Sequence, residues 1–120
     1  MNGLRQRITD ELDRLDRTGC PAAIARDLKE RGVKGVTGEP RQCPLARHLM
    51  RHCADFMPAW AGLSVGIDTV SVTRIANVFV EHGTLTARDF PIIPICGNLS
   101  HFVELFDNGR FAELLEGYAE

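Results

Sequence analysis

Cys43, His48, His52 and Cys53 fall within the run Gln42-Cys43-Pro44-Leu45-Ala46-Arg47-His48-Leu49-Met50-Arg51-His52-Cys53. It holds two of the chain's four cysteines and two of its four histidines. Pro44 suits the first turn of a helix, where its missing N–H is no loss. Cys43 then stands at the helix N-terminus, where the partial positive charge favours a thiolate. His48 and His52 are four residues apart and share a face. Sulfur and imidazole are ligands suited to zinc, so Cys43, His48 and His52 form a candidate metal site. Cys43 and Cys53 are less compatible, being about 15 Å apart along one helix. Completing the site requires Cys96 or His101 from the second half. No Cys-x-x-Cys or His-Glu-x-x-His is present. The competing reading makes Cys53 a core residue and the histidines flank residues.

The same cysteine also suits a nucleophile, with Arg41 nearby to lower its pKa. Such a mechanism needs a histidine base and an orienting Asp or Asn. His82, His101, Asp68 and Asn98 are available, and the sequence alone does not place them. Asp68, Glu81, Asp89 and Glu104 are scattered, and nothing pairs them as a general acid and base. Gly32, Gly35 and Gly38 make the Gly32–Pro40 segment a loop. No Gly-Lys-Ser/Thr follows them, so the phosphate-loop pattern is missing.

The elements that position these residues follow from periodicity. Leu4, Ile8, Leu12 and Leu15 repeat at helical spacing, with charges between them, until Gly19. Pro21 starts a second helix, with Ile24 and Leu28 inward, which Gly32 ends. The third runs from Pro44 to about Asp55 on a stripe of Leu45, Leu49, Cys53 and Phe56. Arg47 and Arg51 point away from that stripe, His52 borders it and His48 sits further round. Ser64–Val72 alternates, and Ile75–Val80 is apolar and β-branched. Glu81-His82-Gly83-Thr84 reads as a turn that leads back toward Ile92 and Ile93. Pro91 and Pro94 belong on an edge strand or its exit. Asn98 or Ser100 caps a fourth helix with Leu99, Phe102, Val103 and Phe106 on one face. A short terminal helix carries Phe111, Leu114, Leu115 and Tyr118. Helices, then three or four antiparallel strands, then helices predict an α+β fold in one domain, residues 1–120.

Three segments stand out together: Gly32-Val33-Lys34-Gly35 leading to Cys43-Pro44-Leu45-Ala46, the strand pair around Val65-Gly66 and Val70-Ser71-Val72, and Phe102 to Phe111 with its Phe-Asp-x-Gly-Arg-aromatic turn. They resemble parts of small uncharacterised proteins of actinobacteria and their phages. The resemblance implies no activity, cofactor or site.

Composition bounds the function classes. The chain has 120 residues, 44% hydrophobic and 25% charged, with a net charge of −2. That is a globular balance able to bury its own core without a disulfide or structural metal. The charge is uneven: residues 1–60 carry 11 Lys/Arg and 8 Asp/Glu, whereas residues 61–120 carry 3 and 8. Residues 26–51 are the most basic, and Arg26, Lys29, Arg31, Lys34, Arg41, Arg47 and Arg51 offer phosphate contacts to a nucleic acid. The linker between the second and third helices is too long for a helix-turn-helix. No apolar run approaches the length of a membrane span, and a cytoplasmic location with reduced cysteines is expected. Phe56, Met57 and Trp60 offer aromatic and thioether anchors to a partner. The leading expectation is a non-catalytic binding or regulatory protein, with another protein or a second copy as partner. Its surface would combine Lys34, Arg41, Arg47, His48, Arg51, Met57 and Trp60. A metal- or thiol-dependent enzyme and a nucleic-acid binder are the rivals.

Overall fold

The computed structural model describes residues 2–56, 61–74 and 92–117. Its elements are α1 (Asn2–Asp16), α2 (Pro21–Glu30), α3 (Pro44–His52), β1 (Ala61–Val65), β2 (Thr69–Arg74), β3 (Ile92–Pro94) and α4 (Gly97–Asp107). Short 3₁₀ turns lie at Ala54–Phe56 and Ala112–Leu114. The fold is α+β, with helices flanking an antiparallel sheet in the order β1-β2-β3. Among the described residues, no helix is long and apolar enough to cross a membrane.

The stripe on α1 behaves as its spacing demands, with Leu4, Ile8, Leu12 and Leu15 all buried. On α2, Ile24, Ala25 and Leu28 face inward. The third helix is shorter than its apolar pattern suggests. It stops at His52, Cys53 is its C-cap, and a 3₁₀ turn takes over. It buries a wide arc, because Pro44 and Ala46 join Leu45 and Leu49 inside.

The alternating stretch from Ser64 to Val72 is two strands and a tight turn. Gly66, Ile67 and Asp68 reverse the chain, and the Gly66 N–H donates to the Thr69 carbonyl at 2.8 Å. The register pairs Leu63 with Val72 and Val65 with Val70, and Val70 also pairs with Ile93. These five side chains are buried on one face, as a two-residue period requires of a sheet with a single covered face. Among the described residues, Pro94 ends β3 at an outer edge of the sheet, where its missing N–H breaks no ladder. The strand expected over Ile75–Val80 and the Glu81–Thr84 turn lie outside the described residues.

Cys96 precedes α4 in the N-cap position and makes no side-chain cap. Asn98 and Ser100, the expected caps, bond elsewhere: Asn98 Nδ2 donates to the Asp16 carbonyl, and Ser100 Oγ donates to the Ile67 carbonyl. Both bonds carry α4 onto its neighbours. Leu99, Phe102, Val103 and Phe106 form its buried face. Among the described residues the terminal helix is the 3₁₀ turn Ala112–Leu114, and Tyr118 lies outside them.

The Gly32–Pro40 loop is pinned at both ends. Gly35 forms an isolated parallel bridge with Leu115: its N–H donates to the Leu114 carbonyl at 2.7 Å, and its carbonyl accepts from Glu116 at 2.8 Å. A Cβ on Gly35 would fall 2.6 Å from Pro44 Cδ, so glycine alone permits this approach. The Gly38 N–H donates to Asp107 Oδ1 at the end of α4.

Candidate functional site

The helix N-terminus at Cys43 does not make a reactive thiol. Cys43 is buried, and its Sγ accepts the Ala46 N–H at 3.3 Å, so sulfur itself caps α3. Burial pushes the thiol up to about 11, outweighing the bond from Ala46. The expected lowered pKa is therefore reversed. Cys53 is buried as well, as its place on the stripe implied, and burial raises it to about 11. Cys20 and Cys96 are the exposed cysteines.

His48 is also misplaced by a helical wheel alone. It was expected on the exposed face with Arg47 and Arg51, yet it is 5% exposed. What receives it is Glu11 of α1, itself only 3% exposed. His48 Nε2 and Glu11 Oε2 form a short hydrogen bond between the two helices. His52 Nδ1 lies 3.8 Å from the same carboxylate oxygen, and the two imidazole centroids are 5.9 Å apart. One ligand atom from each of Glu11, His48 and His52 lies within 4.8 Å of the other two. Histidine spacing on α3 brings the imidazoles together as expected. The third group of the cluster comes from α1, and Cys43, Cys96 and His101 are not part of it.

A buried carboxylate must be paired, and Glu11 is paired on both sides. Arg14, one turn on, donates through Nε to Oε1 and through Nη2 to Oε2, at 2.5 and 3.0 Å. The same guanidinium forks onto Asp27 of α2 at 2.9 and 3.0 Å, and Arg31 Nε reaches Asp27 at 2.8 Å. Burial opposes the Glu11 charge, but the bonds from Arg14 and His48 outweigh it and its carboxyl falls below the ordinary range. Arg14 beside Asp27 holds that carboxyl down at about 2. Burial lowers the His48 pKa despite its bond to Glu11, leaving the imidazole neutral near pH 7. The network therefore ties α1, α2 and α3 through side chains alone.

Glu11 was missed among the charges of α1, but the sequence held a signal. At 3.6 residues per turn it falls about 20° outside Leu4, on the border of the arc formed by Leu4, Leu15 and Ile8. A carboxylate bordering an apolar stripe is a group that needs a partner once that face is buried.

The rest of the expected binding surface divides. Arg47 turns back on the protein. It donates to the Lys34 carbonyl at 3.1 Å, to Gln42 Oε1 at 2.7 Å and to Glu116 Oε2 at 2.7 Å. It is thus the side-chain counterpart of the Gly35 bridge. Arg41 and Arg51 are exposed, and Lys34 is half-buried. Met57, Trp60 and His82 lie outside the described residues.

A second candidate surface has no counterpart in the sequence patterns. The residues that open α2 (Cys20, Pro21, Ala22), His101 and Leu105 of α4, and Arg110 and Phe111 beyond it line an open groove of about 480 Å³. Phe111 takes a left-handed conformation, φ 57°, and its ring stacks on Phe102 with centroids 5.5 Å apart. Gly109 at φ 88° and the Arg110 N–H donated to the Leu105 carbonyl turn the chain there. The turn after α4 thereby sets Arg110 and Phe111 beside His101 and Leu105.

No protein-family model, curated protein or solved structure matches the chain.

Proposed function

We propose that the protein is a non-catalytic binding or regulatory protein, and that it recognises a short peptide segment of a protein partner through the α2–α4 groove. The groove itself is the observation that carries this reading. Its volume falls within the range of ligand sites, yet it is open, which suits the side chains of a passing segment. Its lining is mostly apolar, and its ionisable side chains besides Cys20 are His101 and Arg110. No carboxylate lines it among the described residues. The complementary segment carries a Leu or Phe to fill the groove and an Asp or Glu to meet Arg110. A second copy of this chain is one possible source, because residues 61–120 are acidic overall.

The test is an NMR titration with a synthetic capped peptide, one Phe flanked by glutamates, against a control with lysines in their place. The expected result is shifts confined to residues 20–22, 101, 105, 110 and 111, lost in Arg110→Glu, with no response to the control. Shifts that scatter over the surface, or that survive Arg110→Glu, overturn the assignment. Concentration-dependent shifts at the same residues without peptide identify the second copy as the occupant.

A further inference from the structure

We infer that Glu11, His48 and His52 form a binding site for one divalent transition-metal ion, with zinc the best match to its ligands. This is independent of the groove and of the peptide reading. Two imidazole nitrogens and one carboxylate oxygen are a ligand set that zinc accepts. Atoms each 2.0–2.2 Å from one ion stand roughly 3–4 Å apart. The 3.8 Å between His52 Nδ1 and Glu11 Oε2 has that spacing. It is too long for a hydrogen bond, so the ring faces the carboxylate without bonding to it. The His48–Glu11 pair is too close to hold an ion as it stands. Entry of a cation needs that one contact to open by about 1 Å, with the proton of neutral His48 carried on Nδ1 so that Nε2 offers its lone pair. Both histidines belong to one rigid helix, four residues apart, so their relative placement is already set.

The surroundings supply what a ligating carboxylate ordinarily has. Arg14 clamps the carboxylate through Nε to Oε1 and Nη2 to Oε2, which fixes its orientation with Oε2 beside the histidines. Asp27 offsets the Arg14 charge at 2.9 Å, so the guanidinium does not stand alone beside the ion. His48 and Glu11 are buried, while the His52 side chain is 30% exposed. The ion therefore enters past His52, and its fourth position, on that same side, takes water or an anion. Three protein ligands with one open position is the arrangement of a site that can bind a further ligand.

The experiment is titration of the metal-stripped protein with Zn²⁺, followed by calorimetry and native mass spectrometry, with Co²⁺ as the spectroscopic substitute. The expected result is one ion per chain, Co²⁺ ligand-field bands without a thiolate charge-transfer band, and a thermal stabilisation by Zn²⁺. His52→Ala, at the exposed ligand, leaves the fold intact and weakens binding roughly 100-fold, the scale on which metal-site substitutions act. Glu11→Gln gives the same loss, with circular dichroism as its control for folding. Absence of stoichiometric binding, binding unchanged in His52→Ala, or a thiolate band in the Co²⁺ spectrum each overturns the site.

Discussion

At the residue scale, burial decides the chemistry more than local position does. Cys43 has the helix terminus that favours a thiolate, yet the cost of desolvating the anion exceeds that benefit. The expected outcome with a thiol reagent under native conditions is rapid reaction at Cys20 and Cys96, with Cys43 and Cys53 reacting only on unfolding; mass mapping of the labelled sites checks it. Asp27 gives the corresponding statement for acid. Its folded pKa of about 2 lies below the ordinary 3.8. The stability it contributes is complete above about pH 4 and is lost as pH falls through about 2. Denaturant unfolding at several pH values should show Asp27→Asn losing roughly 1–2 kcal/mol at neutral pH and converging on the parent at pH 2. The carboxylate bordering the α1 stripe was legible as an anomaly. Its partner was not, because no local pattern says which helix faces which.

At the scale of elements, periodicity carried most of the fold. The α1 and α4 stripes are buried as their spacing requires. The Val70–Val72 run is a strand, and Pro94 marks a sheet edge. What failed were ends. The third helix stops at His52 although apolar residues continue, because Cys53 caps it and a tighter turn follows. Asn98 and Ser100 had the chemistry of caps, but α4 already begins at Gly97, so both lie inside its first turns and donate to the Asp16 and Ile67 carbonyls instead. The three glycines mark a loop in the sequence; its Gly35 admits Pro44 and a bridge to Leu115. Gly35→Ala should therefore lower stability by about 1–3 kcal/mol, the usual cost of forced overpacking, measurable as a shifted denaturant midpoint. Ala at Gly38 meets no neighbour, and its cost is confined to the φ of 73°, so it should be the milder of the two.

At the scale of the whole molecule, the uneven charge seen along the sequence is partly neutralised in space. Arg47 from the basic half meets Glu116 from the acidic half. The linear separation of charge therefore overstates the dipole that a partner meets. The α2–α4 groove was not legible because it is made by two helices, 21–30 and 97–107, far apart in the chain. Its residues carry no motif; only their convergence gives them a common surface. The Glu11 cluster is half legible for the same reason, two of its groups on one helix and the third from another.

The bridge between Gly35 and Leu115 has a consequence for the order in which the molecule is made. Gly35, in the loop ahead of α3, obtains its backbone partners from residues 114–116, some 80 positions later. Closing so long a segment carries an entropic cost that only late, cooperative contacts repay. During synthesis α1 and α2 emerge with their stripes available, while Gly35 has no bridge until residues 114–116 leave the ribosome. Those residues thus act as a latch: until they arrive, Arg47 has no Glu116 and Gly35 has no backbone partner across from it.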